Sequence, residues 1–217
     1  AYPLQMLLIA FAVGTAVGVN SFVSRKLGEK NLVQANDGAT HGLITCIFNY
    51  VIFLLLGLFA VRPFMAMYTQ NEAILNYGIQ YLTVVLCFSF FSIVQIMVEK
   101  TLQATGNMIA PMWFQIAGVV FNFVFDPLLI FGIGPFPKMG VVGAAVATVL
   151  GYVVSTIIAL IQLFLTKQKV KPVFKNCLEP QMIKLIFSYG LPSFVMNALG
   201  AFTVNFANMF LVRYSDT

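Results

Sequence analysis

Charged residues are scarce in this sequence. Only 9% of its 217 residues are Asp, Glu, Lys or Arg, whereas soluble domains carry about 25%. Hydrophobic residues make up 60% of the chain, and the mean hydropathy is +0.92. No water-soluble fold of this length needs so much apolar surface. The composition therefore excludes a soluble domain and predicts an integral membrane protein.

Groups for catalysis and for metal binding are also few. The sequence has one histidine, His41, and three widely spaced cysteines, with no C-x-x-C pair, no H-E-x-x-H and no G-x-x-x-x-G-K-[ST] phosphate loop. These gaps disfavour a disulfide framework, a metal cluster and a P-loop ATPase. We therefore expect neither an enzyme nor a cofactor. His41 stands at the edge of an apolar run, and we interpret it as a residue of the membrane interface.

Long apolar runs are what the sequence has in abundance. About 20 helical residues cross the hydrocarbon core of a bilayer, and six runs reach that length. They are about residues 4–23, 42–61, 77–98, 112–133, 141–165 and 191–212. Because backbone groups in lipid must be bonded within their own segment, these runs predict six membrane-spanning helices. The predicted fold class is an all-α integral membrane protein.

The basic residues alternate between the breaks that separate these runs. Nine fall in the first, third and fifth breaks, whereas three fall in the second and fourth breaks and after the sixth run. Because lysine and arginine concentrate on the cytoplasmic side, the richer side is predicted to be cytoplasmic. We expect a multi-pass protein of the cell inner (cytoplasmic) membrane. This distribution accounts for the net charge of +5 without a nucleic-acid partner.

The longest polar stretch, residues 166–181, contains four lysines and two prolines. We interpret it as a cytoplasmic loop between two helical lobes, with residues 1–165 contributing five spans to the first lobe. Residues 182–189 predict a short amphipathic helix lying at the membrane interface. Gly190 and Pro192 then predict a break in that helix, with Pro192 in the first turn of the sixth span.

One acid, Asp126, lies inside the fourth apolar run. Burying a carboxylate at the centre of a bilayer costs about 2.5–3.5 kcal/mol on insertion scales, so such a residue indicates a functional site. Helical spacing places Gln115, Gly118, Asn122 and Asp126 on one face. Pro127 lacks an N–H and predicts a kink that frees a backbone carbonyl nearby. Asp126 and Asn122 are our candidate site for H⁺ or Na⁺, with no other metal expected; the alternative is a neutral Asp126 that bonds a neighbouring helix.

Other spans carry isolated polar residues. Asn197 and Asn205 in the sixth run form a second polar surface, and together with Gln115 they are our candidates for a substrate cavity. Interhelical hydrogen bonding is the alternative role for the two asparagines. Gln95 and Glu99 lie one turn apart at the inner end of the third run. We interpret them as a solvated interface pair, with a gate contact as the alternative.

Small residues recur at four-residue spacing in two runs. Such faces allow helices to approach closely, and we expect them to pack within one bundle rather than to form a homodimer. The two sets are Ala10, Gly14 and Gly18 in the first run and Gly143, Ala147 and Gly151 in the fifth run.

Several stretches of the chain are similar to a known family of transporters. They are G-V-N-S-F-V-S-R-K-L-G-E-K-N at 18–31, L-Q-A-T-G-N at 102–107, N-F-V-F-D-P-L-L-I-F-G at 122–132 and M-G-V-V-G-A-A-V-A-T at 139–148. On these residues the whole chain resembles the multidrug and toxin extrusion (MATE) family, in its branch of bacterial multidrug exporters.

The resemblance implies twelve helices in two six-helix lobes, of which this chain would be a fragment covering about six. Residues 1–165 would be most of the N-terminal lobe, 166–181 the loop between the lobes, and 182–217 the interfacial helix and the first span of the C-terminal lobe. It also implies secondary active efflux of cationic amphipathic drugs by antiport with H⁺ or Na⁺, performed by a monomer when full length. Asn122 and Asp126 match the family's cation-site asparagine and aspartate.

Two other functions are compatible with the sequence. A flippase for lipid-linked saccharides shares this general architecture, but it should line its cavity with several basic residues, and none lies deep within the apolar runs. A structural membrane subunit would use Asp126 only for stability.

Overall fold

The structure, a computed structural model, describes residues 2–66, 72–134, 137–165, 168–173 and 179–215. The side chains of residues 2–3, 73–74, 201, 204–205 and 207–215 lie outside that description. The helices are α1 (Tyr2–Gly28), α2 (Leu32–Leu55), a π-helical turn (Leu56–Ala60), α3 (Val61–Ala66), α4 (Glu72–Cys87), α5 (Ser89–Ala104), α6 (Ile109–Phe131), α7 (Val141–Leu165) and α8 (Pro180–Ser215). The described residues contain no strand, and the predicted all-α fold is confirmed.

Five helical segments are long and apolar enough to cross a membrane, or six if the bent pair of α4 and α5 is one span. The predicted number of spans is therefore confirmed. The second span is longer than predicted, because α2, the π-helical turn and α3 run on without a break. The third predicted run bends by 49° at Phe88, whose φ of −101° and ψ of 16° depart from helical values.

The predicted break at Gly190 and Pro192 is wrong, because α8 continues through both residues as one helix of 36 residues. Residues 182–189 are therefore not a separate amphipathic helix, and Pro192 lies inside the helix rather than in its first turn. Gly190 has a packing role instead: a Cβ there would overlap the backbone oxygen of Gly14 on α1. Ile186, one turn earlier, is fully buried. The glycine at position 190 is therefore explained by its packing against α1 and not by a helix break.

α1 lies at the centre of the bundle, where it packs against α2, α5 and α8. The small-residue face of α1 lies against α8, since a Cβ at Gly18 would overlap the backbone oxygen of Ile186. α6 packs mainly on α7, and α7 also contacts α4 and α5. The small-residue faces of both runs therefore pack within the bundle, as predicted.

The polar loop after α7 is fastened to α2 through side chains that bond its backbone. Three residues of α2 accept hydrogen bonds from loop N–H groups: Asn36 Oδ1 from Lys171 at 3.0 Å, Thr40 Oγ1 from Val173 at 2.9 Å, and His41 Nε2 from Glu179 at 3.0 Å. His41 is only 1% exposed. Our interpretation of His41 as an interfacial residue is therefore wrong, because the loop covers it.

Three connections meet at one end of the bundle. Gly28 and Lys30 after α1, Gly106 after α5 and Lys169 after α7 line one cavity of about 520 Å³. These are the first, third and fifth breaks of the sequence, which carry most of its basic residues. Their meeting at one end is the arrangement that alternating spans require.

Candidate cation site and cavity

Asp126 and Asn122 lie one turn apart on α6 and are joined by a hydrogen bond. With the amide of Asn122 oriented so that its nitrogen faces the carboxylate, Nδ2 donates to Asp126 Oδ2 at 3.0 Å. In this orientation the amide oxygen accepts from the backbone N–H of Thr148 on α7 at 3.1 Å. Hydrogen bonding assigns the orientation, because the opposite one leaves like groups facing each other. Asn122 therefore links the acid of α6 to the backbone of α7.

The second carboxylate oxygen of Asp126 is buried and has no hydrogen-bond donor among the described residues. A buried charged oxygen without a partner is costly in a medium of low dielectric constant. A proton on Oδ1, or a hard cation such as Na⁺ bound to it, would remove that cost. The pair therefore has the chemistry of a cation site.

A cavity of about 290 Å³, with several polar side chains in its lining, opens beside Asn122. It is lined from α5, α6 and α7 by Gln95, Gln115, Gly118, Val119, Asn122, Thr148, Gly151, Tyr152 and Ser155. The cavity depends on a close crossing of α6 and α7. A Cβ at Gly118 would lie 2.9 Å from the backbone oxygen of Gly151, and one at Gly151 would lie 3.0 Å from that of Gly118.

The third and fourth runs are joined at their inner ends by Glu99. Its carboxylate accepts from Gln115 Nε2 at 2.6 Å, from Gln103 Nε2 at 3.0 Å and from Lys100 Nζ at 3.3 Å. Gln95 is 9% exposed, and its side-chain oxygen has no donor among the described residues. The interpretation of Gln95 and Glu99 as a solvated pair is therefore wrong. Gln95 lines the cavity together with Gln115, and Glu99 bonds Gln115 from outside that lining.

The structure brings some of the predicted residues together and separates others. Gln115 and Asn122 share the cavity, whereas Asn197 is exposed on α8, where its amide donates to the carbonyl of Ser193 at 2.8 Å. α8 packs on α1 and α2, away from Asp126. The side chain of Asn205 lies outside the described residues. Pro127 lies inside α6, which runs unbroken to Phe131.

Sequence reasoning missed the contribution of α7. Thr148, Tyr152 and Ser155 line the cavity, and Ser155 Oγ donates to the carbonyl of Phe114 on α6 at 2.9 Å. A signal was available, since Thr148 and Ser155 are seven residues apart and so lie on one helix face. That face borders the small-residue face through Gly151.

The model of the MatE family matches residues 1–128, which is more than half of the chain. The chain belongs to the MatE family. It is similar to the multidrug export protein MepA of Staphylococcus saprophyticus, with 27% identity over 216 residues, which cover 99% of this chain and 47% of that protein. It is also similar to an FAD transporter of Shewanella oneidensis, with 27% identity over 154 residues, which cover 71% of this chain and 34% of that protein. The chain thus spans about half the length or less of these relatives.

Solved MATE structures have the same fold. An inward-facing conformation of a multidrug resistance MATE family transporter gives a TM-score of 0.84 at 28% identity, over 94% of this chain and 47% of that one. An outward-facing conformation gives 0.83 at 28% identity, over 97% and 45%. Together with its apolar helices, these similarities establish a multi-pass membrane protein of a transporter family.

Proposed function

We propose that the full-length protein is a multidrug efflux transporter that exports cationic amphipathic molecules in exchange for H⁺ or Na⁺. Asp126 is the coupling residue and Asn122 is its partner. The observation that carries the proposal is the buried Oδ1 of Asp126, which has no donor among the described residues, on an acid whose partner Asn122 lines the cavity. The MatE family and the multidrug export proteins among its members support the drug class.

The hydrogen bond from Asn122 suggests how a cation at Asp126 changes the helix packing. A hydrogen bond to an ionised carboxylate is stronger than one to a neutral acid. Binding of H⁺ or Na⁺ at Oδ1 therefore weakens the bond from Asn122 to Oδ2, and with it the link to the backbone of Thr148. The contact between α6 and α7 then depends on whether Asp126 is loaded.

The drug is exchanged for H⁺ or Na⁺ because both compete for the carboxylate of Asp126. Ionised Asp126 attracts a cationic drug from the inner side, and loading by H⁺ or Na⁺ from the outer side neutralises it and releases the drug. The near-equal similarity to an inward-facing and an outward-facing MATE structure supports rocking of lobes that largely keep their internal packing.

Anionic substrates are the rival class. The FAD transporter among the relatives, like a flippase for lipid-linked saccharides, points to a substrate with phosphate groups. Such a substrate needs basic groups in the cavity. The described lining of the 290 Å³ cavity contains no lysine or arginine, and of the two acids beside it Glu99 is paired with Lys100, whereas Asp126 has no cationic partner among the described residues. Cations are therefore favoured.

The test uses the full-length parent in inside-out membrane vesicles. Ethidium uptake is measured with an outward gradient of H⁺ or of Na⁺, for the wild type and for Asp126→Asn. We expect one of the two gradients to drive uptake in the wild type, which identifies the coupling ion. Asp126→Asn should abolish the gradient-driven part, because the amide cannot bind either cation as a carboxylate does.

The matched control is Asp37→Asn, at the only other described aspartate, which lies near the start of α2 outside the cavity. It should retain uptake. If neither gradient moves ethidium in the wild type, but labelled FAD or a lipid-linked saccharide is transported, the proposal is wrong in its substrate class. If Asp126→Asn inserts and transports normally, Asp126 has only a structural role.

A further inference from the structure

The cavity where the first, third and fifth connections meet is built differently from an ordinary cluster of surface lysines. Lys30 follows α1 and Lys169 follows α7, and Leu27, Leu32 and Ala104 form the apolar part of the lining. The cavity measures about 520 Å³. Among the described residues neither lysine has an acidic partner. Two uncompensated positive charges therefore share one concave site.

The nearby acid does not neutralise them. Glu29 accepts from Lys26 at 2.8 Å and from Arg25 at 3.1 Å. Lys26, and then Arg25, hold the pKa of the Glu29 carboxyl below its usual value, so this acid is ionised and paired at neutral pH. Lys30 and Lys169 are left to attract an anion.

The backbone at Lys30 gives a second reason to assign a role to its side chain. Asn31 N–H bonds Lys26 O at 2.9 Å and Lys30 N–H bonds Leu27 O at 3.0 Å, which is a Schellman end to α1 with Lys30 at φ 57°. Glycine is the usual residue at this left-handed position. α5 ends in the same motif at the same cavity, and there the position is Gly106, at φ 84°. The turn alone would favour glycine at residue 30, and the Schellman bonds do not require a lysine side chain there.

Lys169 is also held in place by its surroundings. The next residue, Val170, is fully buried, and the one after it donates its N–H to Asn36 Oδ1 at 3.0 Å. The loop between the lobes is therefore fastened to α2 directly beside Lys169. Lys169 therefore lines the cavity from an anchored part of the loop.

We propose that this cavity binds the phosphate of an anionic phospholipid headgroup from the cytoplasmic leaflet. Basic pockets between membrane helices on the cytoplasmic side suit such headgroups. A lipid is favoured over a free anion because exposed apolar residues adjoin the site: Leu32 in its wall is 51% exposed and the next residue, Val33, is 71% exposed. The bound phosphate would bridge the α1–α2 turn to the inter-lobe loop. This inference does not depend on drug export.

The test measures binding of fluorescent phosphatidylglycerol to the purified full-length parent in neutral detergent micelles, with phosphatidylcholine, which is zwitterionic and has no net charge, as the reference. The variant is Lys30→Gly combined with Lys169→Gln. We expect its affinity for phosphatidylglycerol to fall about 25-fold, since each lysine at an anionic surface contributes a factor of about 5. We also expect its melting temperature without lipid to be unchanged or higher, because glycine suits the turn. A loss of binding is then separated from a loss of folding.

The matched control is Lys171→Gln combined with Lys184→Gln, which removes the same charge from two exposed lysines outside the cavity. It should bind as the wild type does. If the control pair lowered the affinity for phosphatidylglycerol equally, the lipid would be attracted by basic residues in general and not bound at this cavity. Competition by inorganic phosphate at concentrations similar to those of the lipid would identify a free anion site and overturn the lipid assignment. Unchanged binding in the pocket variant would overturn the site itself.

Discussion

At the scale of single residues, the amide of Asn122 is the part of the site that this structure explains best. It donates to Asp126 and accepts from the backbone of Thr148, so it orients the carboxylate and joins two helices. Asn122 donates to Oδ2 of Asp126, and the buried Oδ1 has no donor among the described residues. A change in the charge of Asp126 therefore affects its hydrogen bond with Asn122 on the same helix. Through Asn122 it also affects the contact with Thr148 on α7.

Replacing Asn122 by alanine should strengthen binding of the coupling ion without removing the acid, because the hydrogen bond from Asn122 favours the ionised, unloaded carboxylate. A hydrogen bond to a charged group contributes about 1.5–3 kcal/mol, so the apparent affinity for the coupling ion should rise by up to roughly 10- to 100-fold. The measurement is the dependence of ethidium uptake on the concentration of that ion in vesicles of the full-length parent. Asn76→Ala, at an exposed position of α4, is the control and should leave the dependence unchanged. A wild-type dependence in Asn122→Ala would argue that the amide does not orient the acid.

At the scale of helices, the contact between α1 and α8 depends on backbones that approach without side chains between them. Gly14 and Gly18 on α1 face Gly190 and the backbone of Ile186 on α8. Close helix approach in membranes relies on small residues of this kind.

The substitution Gly190→Ala should push α1 and α8 apart, because its Cβ would overlap the backbone oxygen of Gly14, which cannot rotate away. Overpacking of this kind costs about 1–3 kcal/mol. The melting temperature of the full-length parent in detergent should fall by several degrees. Gly200→Ala in the same helix meets nothing within 4 Å and should be neutral or stabilising, because alanine favours helix over glycine by about 1 kcal/mol. Equal effects of the two substitutions would show that the close contact is not needed.

At the scale of the whole molecule, the connections after α1, α5 and α7 lie together at one end of the bundle. This end holds most of the basic residues, and on the positive-inside rule it faces the cytoplasm. The polar loop after α7 is fastened there to α2 by three side chains.

Cysteine labelling tests this orientation. In a full-length parent without its native cysteines, Lys171→Cys should react with a membrane-impermeant maleimide only in inside-out vesicles, and Lys138→Cys should react only in intact cells. Both lysines are exposed in the structure, so accessibility to the reagent reports the side of the membrane. Labelling of both positions from one side would contradict the alternating topology.

The agreement between predicted and observed helices differs from one helix to the next. The bounds of α7, residues 141–165, coincide with the predicted run, because an apolar run that must span lipid has little freedom in length. The bend at Phe88 and the continuity of α8 were not predicted, since both depend on neighbouring helices. At the site, the spacing of Asn122 and Asp126 was sufficient to pair them, whereas Thr148 and Ser155 became visible only once α6 and α7 were packed together.

The sequence by itself determined the membrane class, the number of spans, their alternation and the position of one intramembrane acid, because these follow from the cost of placing polar groups in lipid. The tertiary structure alone decided which groups surround that acid and which remain apart from it. Gln95 and the polar residues of α7 line the cavity, Glu99 bonds Gln115 of that lining, and Asn197 is exposed on α8. The reason is that close contacts between two helices set their relative rotation and register. Here the contact is between Gly118 and Gly151. The periodicity of a single helix does not specify such a contact.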